Sequence, residues 1–196
     1  MRLAGVLRHL KNLVAFDTQN PPRLLDADSP VFTWIRDTLG PDFVITMTDH
    51  GEGRVSMLAM RGEPTLLFNV HLDTVPVIEG SQFPALEMTL HDDRVYGRGC
   101  CDIKGAAACL LEIAAVTDKP LAMLFTTDEE GASGCCVSRF VQSSQSKMFR
   151  QVIVAEPTDC LAVLSHRGYL SVKGEFSGDS GHSSEPRALN DNALHK

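Results

Sequence analysis

Apolar residues at positions 3, 6, 7, 10, 13 and 14 draw one stripe along the opening of the chain. That spacing predicts an amphipathic helix over Leu3–Phe16, followed by a loop at Asn20-Pro21-Pro22. The pattern returns at Val31, Ile35 and Leu39, with Phe32 and Trp34 beside it, and predicts a second helix over 31–39. Ser29 is its N-cap candidate, Pro30 suits the first turn, and Gly40-Pro41 ends it. Phe43–Thr48 alternates and is rich in β-branched residues, so it reads as a strand, with a turn at Asp49-His50-Gly51-Glu52-Gly53. Val55–Met60 and Thr65–Val70 are the next predicted strands, and Glu87–Leu90 with Arg94–Tyr96 predicts a hairpin across His91-Asp92-Asp93. Ile103–Val116 is alanine-rich and helical, and Leu121–Thr127 is a strand with no polar residue before Thr126. Ser133–Gln145 is predicted as a helix and Gln151–Ala155 as another buried strand. Strands that alternate with helices and lack surface alternation predict an α/β fold, a mixed sheet covered by helices on both faces. From Gly168 the pattern changes: Tyr169–Phe176 alternates like a half-exposed strand, as at the start of a second domain.

Composition narrows the classes of function. A chain of 196 residues, 43% hydrophobic, can bury one good core. The net charge of −7 and the lack of a long basic run argue against a nucleic-acid partner. No apolar segment reaches membrane-spanning length, and the N-terminus lacks the apolar region of a signal peptide, so a soluble cytoplasmic protein is the expectation. The six cysteines are 100, 101, 109, 135, 136 and 160; two vicinal pairs and no Cys-x-x-Cys make a poor disulfide framework and the wrong spacing for a thiolate zinc site. Free thiols in a reducing compartment are expected.

The chemistry concentrates in the acids. Asn69-Val70-His71-Leu72-Asp73-Thr74-Val75-Pro76 sets a histidine and a carboxylate at the end of an apolar run, two residues apart and therefore on one side of an extended segment. Such a carboxylate can fix the tautomer of a metal-binding imidazole, although a plain hydrogen-bonded pair has the same signature. Asp102 stands before a predicted helix, where it is either a ligand or an N-cap. Glu129 and Glu130 follow the strand Leu121–Thr127, and Glu156 follows Gln151–Ala155. Read alone, Glu129-Glu130 could be solvated loop, and Glu156 before Pro157 a turn residue. Together they fall past the C-terminal ends of buried strands, the edge of an open α/β sheet where sites form. Carboxylates gathered there need cations to stay ionised together, and carboxylate with imidazole suits Zn²⁺ or a neighbouring first-row metal. The doublet allows one glutamate to bind metal while its neighbour takes a proton from the attacking water. Gly97-x-Gly99 is a poor dinucleotide loop, because the third glycine is missing and Asp102 stands instead.

Five blocks carry a family resemblance: His71-Leu72-Asp73-Thr74-Val75-Pro76, Gly97-Arg98-Gly99-Cys100-Cys101-Asp102-Ile103-Lys104-Gly105, Asp128-Glu129-Glu130, Ala155-Glu156-Pro157-Thr158 and Gly181-His182-Ser183-Ser184. In type and order they resemble the M20 metallopeptidase and deacylase family. The resemblance implies a zinc-exopeptidase-like catalytic domain over residues 1–167, and over 168–196 only the beginning of an α+β lid and dimerisation domain. It implies His71 and Glu156 on one metal, Asp102 bridging two, Glu130 on the second, Glu129 as general base and Asp73 holding His71. It implies two Zn²⁺ ions, with Co²⁺ as an alternative, and a non-proline cis peptide after Asp102. His182 would reach the active site of a second subunit in a homodimer, and Arg167 is either a contact for a substrate carboxylate or a surface residue. The implied reaction is hydrolysis of an N-acetyl amino acid, N-acetylornithine or N-acetylcitrulline, in arginine biosynthesis. Other members of the family are desuccinylases of succinyl-diaminopimelate, aminoacylases and dipeptidases. The family pattern also carries a later histidine as the last ligand of the second metal. His195 does not stand in that place, so the resemblance implies an N-terminal portion of a longer chain, or a truncated product without catalysis.

Overall fold

A computed structural model describes residues 2–21, 25–131, 134–165, 167–168, 170, 172–178, 182, 184 and 186. The chain divides into two units, Met1–Cys160 and Leu161–Lys196. In the first, helices α1 (Leu3–Ala15) and α2 (Pro30–Leu39) precede strands β1 (Val44–Asp49), β2 (Val55–Arg61) and β3 (Leu66–His71). A small hairpin of β4 (Thr89–His91) and β5 (Arg94–Tyr96) leads to α3 (Lys104–Val116), β6 (Leu121–Thr126), α4 (Cys135–Gln142), a 3₁₀ turn at Gln145–Met148 and β7 (Gln151–Val154).

The main sheet has the order β1-β2-β6-β3-β7. β1 pairs antiparallel with β2, and β2 with β6, whereas β3 runs parallel to both β6 and β7. The expected mixed α/β sheet is therefore present. Period-two alternation sorts its two faces. Val55, Met57 and Ala59 of β2 with Leu121, Met123 and Phe125 of β6 face the large core, where Leu10, Leu13, Phe32, Ile35 and Leu111 supply the helical side. Full burial of side chains such as Leu13, Phe32 and Phe125 stabilises the fold by roughly 1.5–3 kcal/mol each. Leu58, Leu67, Ala122 and Leu124 form a smaller cluster on the other face, under Phe140 of α4 and Phe149.

Several expectations change in detail. Ser29 precedes α2 without capping it by side chain; its hydroxyl donates to Asp26 Oδ1 and accepts from the Asp26 amide, closing its own turn. The helix expected over Ser133–Gln145 is shorter, because the Ser143 and Ser146 hydroxyls donate to the carbonyls of Phe140 and Val141 and compete with the helical ladder; Ser133 itself lies outside the described residues. β7 forms, but it is not buried. It sits at the sheet edge against β3, and Val152, Ile153 and Val154 are 55%, 49% and 58% exposed. In the second unit no strand occurs among the described residues of Tyr169–Phe176, whose Tyr169 and Ser171 are not described; alternation predicts a strand only where a ladder partner exists. No described helix is long and apolar enough to cross a membrane.

Candidate metal centre

Topology brings the acids together. Because β3, β6 and β7 are parallel, their C-terminal ends share one edge, and His71, Thr127–Glu130 and Glu156 lie at or just past those ends. α3 returns the chain from that edge to the start of β6, so its own N-terminus lies beside them. Asp102, immediately before it, therefore meets residues from three other segments.

His71 is the last residue of β3 and is 4% exposed. Its Nδ1 donates to the backbone carbonyl of Asp73 at 2.9 Å, with the Asp73 carboxylate at 3.5 Å. This fixes the tautomer and leaves Nε2 facing outward, 3.1 Å from Asp102 Oδ1 and 4.0 Å from Glu156 Oε1. Asp73 is fully buried, and its Oδ2 accepts the Glu130 amide at 2.9 Å. One aspartate thus ties the loop after β3 to the loop after β6. The Asp102–Ile103 peptide is cis. Asp102 does not cap α3: the N-cap is Ile103 and no side chain bonds there. A Cβ at Gly105 would lie 2.4 Å from the Cys100 carbonyl, so glycine is what allows the Cys100–Asp102 turn to lie against the first turn of α3. Within the acidic triplet the roles separate: Asp128 Oδ2 accepts the Cys136 amide at the start of α4, whereas Glu129 and Glu130 turn to His71.

Two trios result, each with one ligand atom per residue and all atoms within 4.8 Å: His71, Asp102 and Glu156, and His71, Glu129 and Glu130. Burial raises the Glu130 carboxyl above its usual range, and the charges of Glu129, Asp102 and Asp73 add to this against His71. Burial likewise raises Glu156; His71 opposes the rise, and Asp102, Glu129 and Glu130 reinforce it. For His71, burial works against the proton, but the hydrogen bonds and charge of Asp73 and the charge of Glu156 outweigh it and push the imidazole up to about 9. Burial and neighbouring carboxylates thus hold Glu130 and Glu156 above their usual range, and His71 carries the counter-charge. A divalent cation bound to Nε2 and the carboxylates would take over that role. The donor set, one imidazole with carboxylates, fits Zn²⁺ or a similar ion.

Of the sequence-predicted residues, His71, Asp73, Asp102, Glu129, Glu130 and Glu156 all meet at this edge. His182 belongs to the second unit, where it is exposed and its Nδ1 meets the amide and hydroxyl of Ser184. Gly181, Ser183 and His195 lie outside the described residues. Sequence reasoning missed Thr18, Asn20 and Lys104, which are buried and polar beside these loops. Lys104 donates to the Phe16 carbonyl at 2.8 Å, and burial, against Asp17, lowers its ammonium to about 8. A polar run between a helix and two prolines carries the signal of a solvated loop, so the sequence offers little to mark it as buried.

The sequence profile of peptidase family M20/M25/M40 matches residues 67–194, the region that holds both trios. The chain belongs to peptidase family M20/M25/M40. Within the M20 group it is 45% identical over 194 residues to the N-acetyl-L-citrulline deacetylase of Xanthomonas campestris pv. campestris, covering 99% of this chain and 52% of that relative. It is 34% identical over 169 residues to the acetylornithine deacetylase of Vibrio atlanticus, covering 82% of this chain and 43% of the relative. The chain thus spans about half the length of the curated relatives it matches. Its fold is similar to human carnosine dipeptidase 1, with a TM-score of 0.62, 19% identity and coverage of 77% of this chain and 38% of that one. The M20 metallo-carboxypeptidase Sso-CP2 of Sulfolobus solfataricus matches with a TM-score of 0.62 at 20% identity, covering 79% and 37%.

Proposed function

We propose that this chain is the metal-binding portion of a hydrolase that cleaves the amide bond of an N-acetyl amino acid, N-acetylcitrulline or N-acetylornithine, to acetate and the free amino acid in arginine biosynthesis. The observation that carries the reading is the convergence on His71 of Asp102 and Glu156 on one hand and Glu129 and Glu130 on the other. The names of the two relatives support the substrate class. His71 and Glu156 would hold one ion, Asp102 would bridge, and Glu130 would hold a second; Zn²⁺ fits these donors, with Co²⁺ as an alternative. Such ions supply Lewis acidity, drawing electron density from the acyl carbonyl and lowering the pKa of water.

The chain's own residues do the rest. Asp73 and its backbone carbonyl hold the proton on Nδ1 of His71, so Nε2 is the nitrogen that would give up its proton to an incoming ion. Asp73 also pins the Glu130 amide, which sets the doublet in place. Glu129 is the more exposed of the pair, and in this reading it accepts the proton of the attacking water and returns it to the leaving amine as the C–N bond breaks. Residues 1–167 act as the catalytic domain and 168–196 as the start of a lid and dimerisation domain. His182 serves the second subunit of a homodimer. A cytoplasmic setting agrees with six cysteines that are all free.

The test is acetate release by the intact gene product with N-acetyl-L-citrulline and N-acetyl-L-ornithine. Both should turn over faster than N-succinyl-diaminopimelate or a dipeptide. Faster turnover of either of the latter overturns the substrate assignment.

A further inference from the structure

Between α1 and the first proline, the chain crosses the site edge and bonds to nearly every loop that carries a ligand. The Thr18 hydroxyl donates to the Leu72 carbonyl at 2.7 Å, directly after His71. The Thr74 amide donates to the Thr18 carbonyl, and the Asn20 amide to the Thr74 carbonyl, both at 3.1 Å, so Gln19 and Thr74 form a parallel bridge around Asp73. The Gln19 side chain accepts the Val77 amide, and its own amide group is braced by Asp17. The Asn20 side chain donates to the Thr127 carbonyl at 2.5 Å, immediately before Asp128-Glu129-Glu130. On the third side the Phe16 carbonyl accepts the buried Lys104 ammonium, two residues after Asp102. Thr18 and Asn20 are 1% and 6% exposed, so these bonds have no water to replace them.

We propose that residues 16–20 form a positioning clasp, with Thr18 and Asn20 as positioning residues that hold the loops after β3 and β6 at the spacing in which His71 meets the carboxylates. The loop after β3 is already tied to the end of β6 by the Leu72 amide on the Thr126 carbonyl, and to the loop after β6 by the Asp73 carboxylate on the Glu130 amide. The clasp adds a further tie between the two loops, and through Lys104 it reaches the Asp102 turn as well. Neither residue touches the ligand atoms; each acts through a backbone carbonyl next to them. The inference rests on the reading of the site as a metal centre.

The experiment is a titration of the metal-free 196-residue chain with Co²⁺, reading the affinity and the visible absorption that reports coordination geometry, alongside thermal unfolding. The variants are Asn20→Ala, the near-isosteric Asn20→Asp, and Thr18→Val. The control is Ile35→Val, which weakens the core and removes none of the clasp's hydrogen bonds. Clasp variants should lose about ten- to hundredfold in Co²⁺ affinity and show an altered spectrum, as loss of outer partners of metal ligands does. The control should lower the Tm and leave affinity and spectrum unchanged. Unchanged affinity and spectrum in folded Asn20→Asp and Thr18→Val overturn the clasp while leaving the metal centre standing. An equal loss in Ile35→Val overturns it too, since the effect would then follow stability. If the unsubstituted chain takes up no Co²⁺, the metal centre itself fails and the clasp with it.

Discussion

His71 shows how one side chain is given a single orientation. Its Nδ1 is committed to Asp73, so Nε2 is left for whatever the carboxylates gather. The residue types and their order in the chain could be read from sequence, because chemistry-bearing residues interrupt apolar runs abruptly. Which acids face inward came from the family resemblance and not from the residue types themselves. Asp128, Glu129 and Glu130 are equivalent on paper, and only the start of α4 shows that Asp128 serves a helix terminus. The separation of roles predicts that Glu129→Gln lowers amide hydrolysis by about 10²–10⁴-fold, yet leaves ion uptake by His71, Asp102 and Glu156 in place. Acetate release and calorimetry on the same samples check this; parallel loss of both would make Glu129 a ligand rather than a base.

At the scale of elements, the junction of α1 with α3 holds a buried ionic contact that no periodicity announces. Glu112 of α3 is 2% exposed, lies 3.6 Å from His9 and 4.0 Å from Arg8 of α1, and accepts the Arg2 amide. Trp34 of α2 meets the His9 ring edge-on. Burial, with help from Arg8 and against Glu112, lowers the His9 pKa below its ordinary 6.5. The unfolded chain therefore binds more protons than the folded one just below that value, and His9's contribution to stability is complete above about pH 6.5 and fades as the pH falls through the folded pKa. Urea denaturation at about pH 7.5 and about pH 5 should show a smaller acid loss in His9→Gln than in the unsubstituted chain; an equal loss contradicts this. The same junction fixes Gly5, where a Cβ would lie 1.9 Å from Glu112 Oε2. Gly5→Ala should destabilise the fold by about 1–3 kcal/mol, although alanine is the better helix former by roughly 1 kcal/mol. A denaturation midpoint that rises would overturn that contact. The helices and strands were legible because their apolar periods are clean, and α4 less so because Ser143 and Ser146, just after it, bond to its last turn. The polar segment 17–20 carried no such period, and its burial follows from tertiary bonds alone.

For the whole molecule, the decisive feature is that three strands run parallel and deliver their ends to one edge. Order along the chain predicted an α/β sheet, and the acids after successive strands predicted convergence. The edge position of β7 was not legible, since an apolar run reads the same whether it is covered or half exposed. Binding of ions by the folded state alone should raise the Tm, by the equivalent of about 2.7 kcal/mol at a hundredfold excess over Kd. The central claim is that this edge is a metal centre built on His71, Asp102 and Glu156. Calorimetric titration of the metal-free chain with Zn²⁺ tests it most directly, with His71→Ala and Glu156→Gln measured beside it. Saturable uptake, weakened at least about tenfold by either substitution, is the predicted result; no uptake, or uptake that both variants retain in full, would contradict the account.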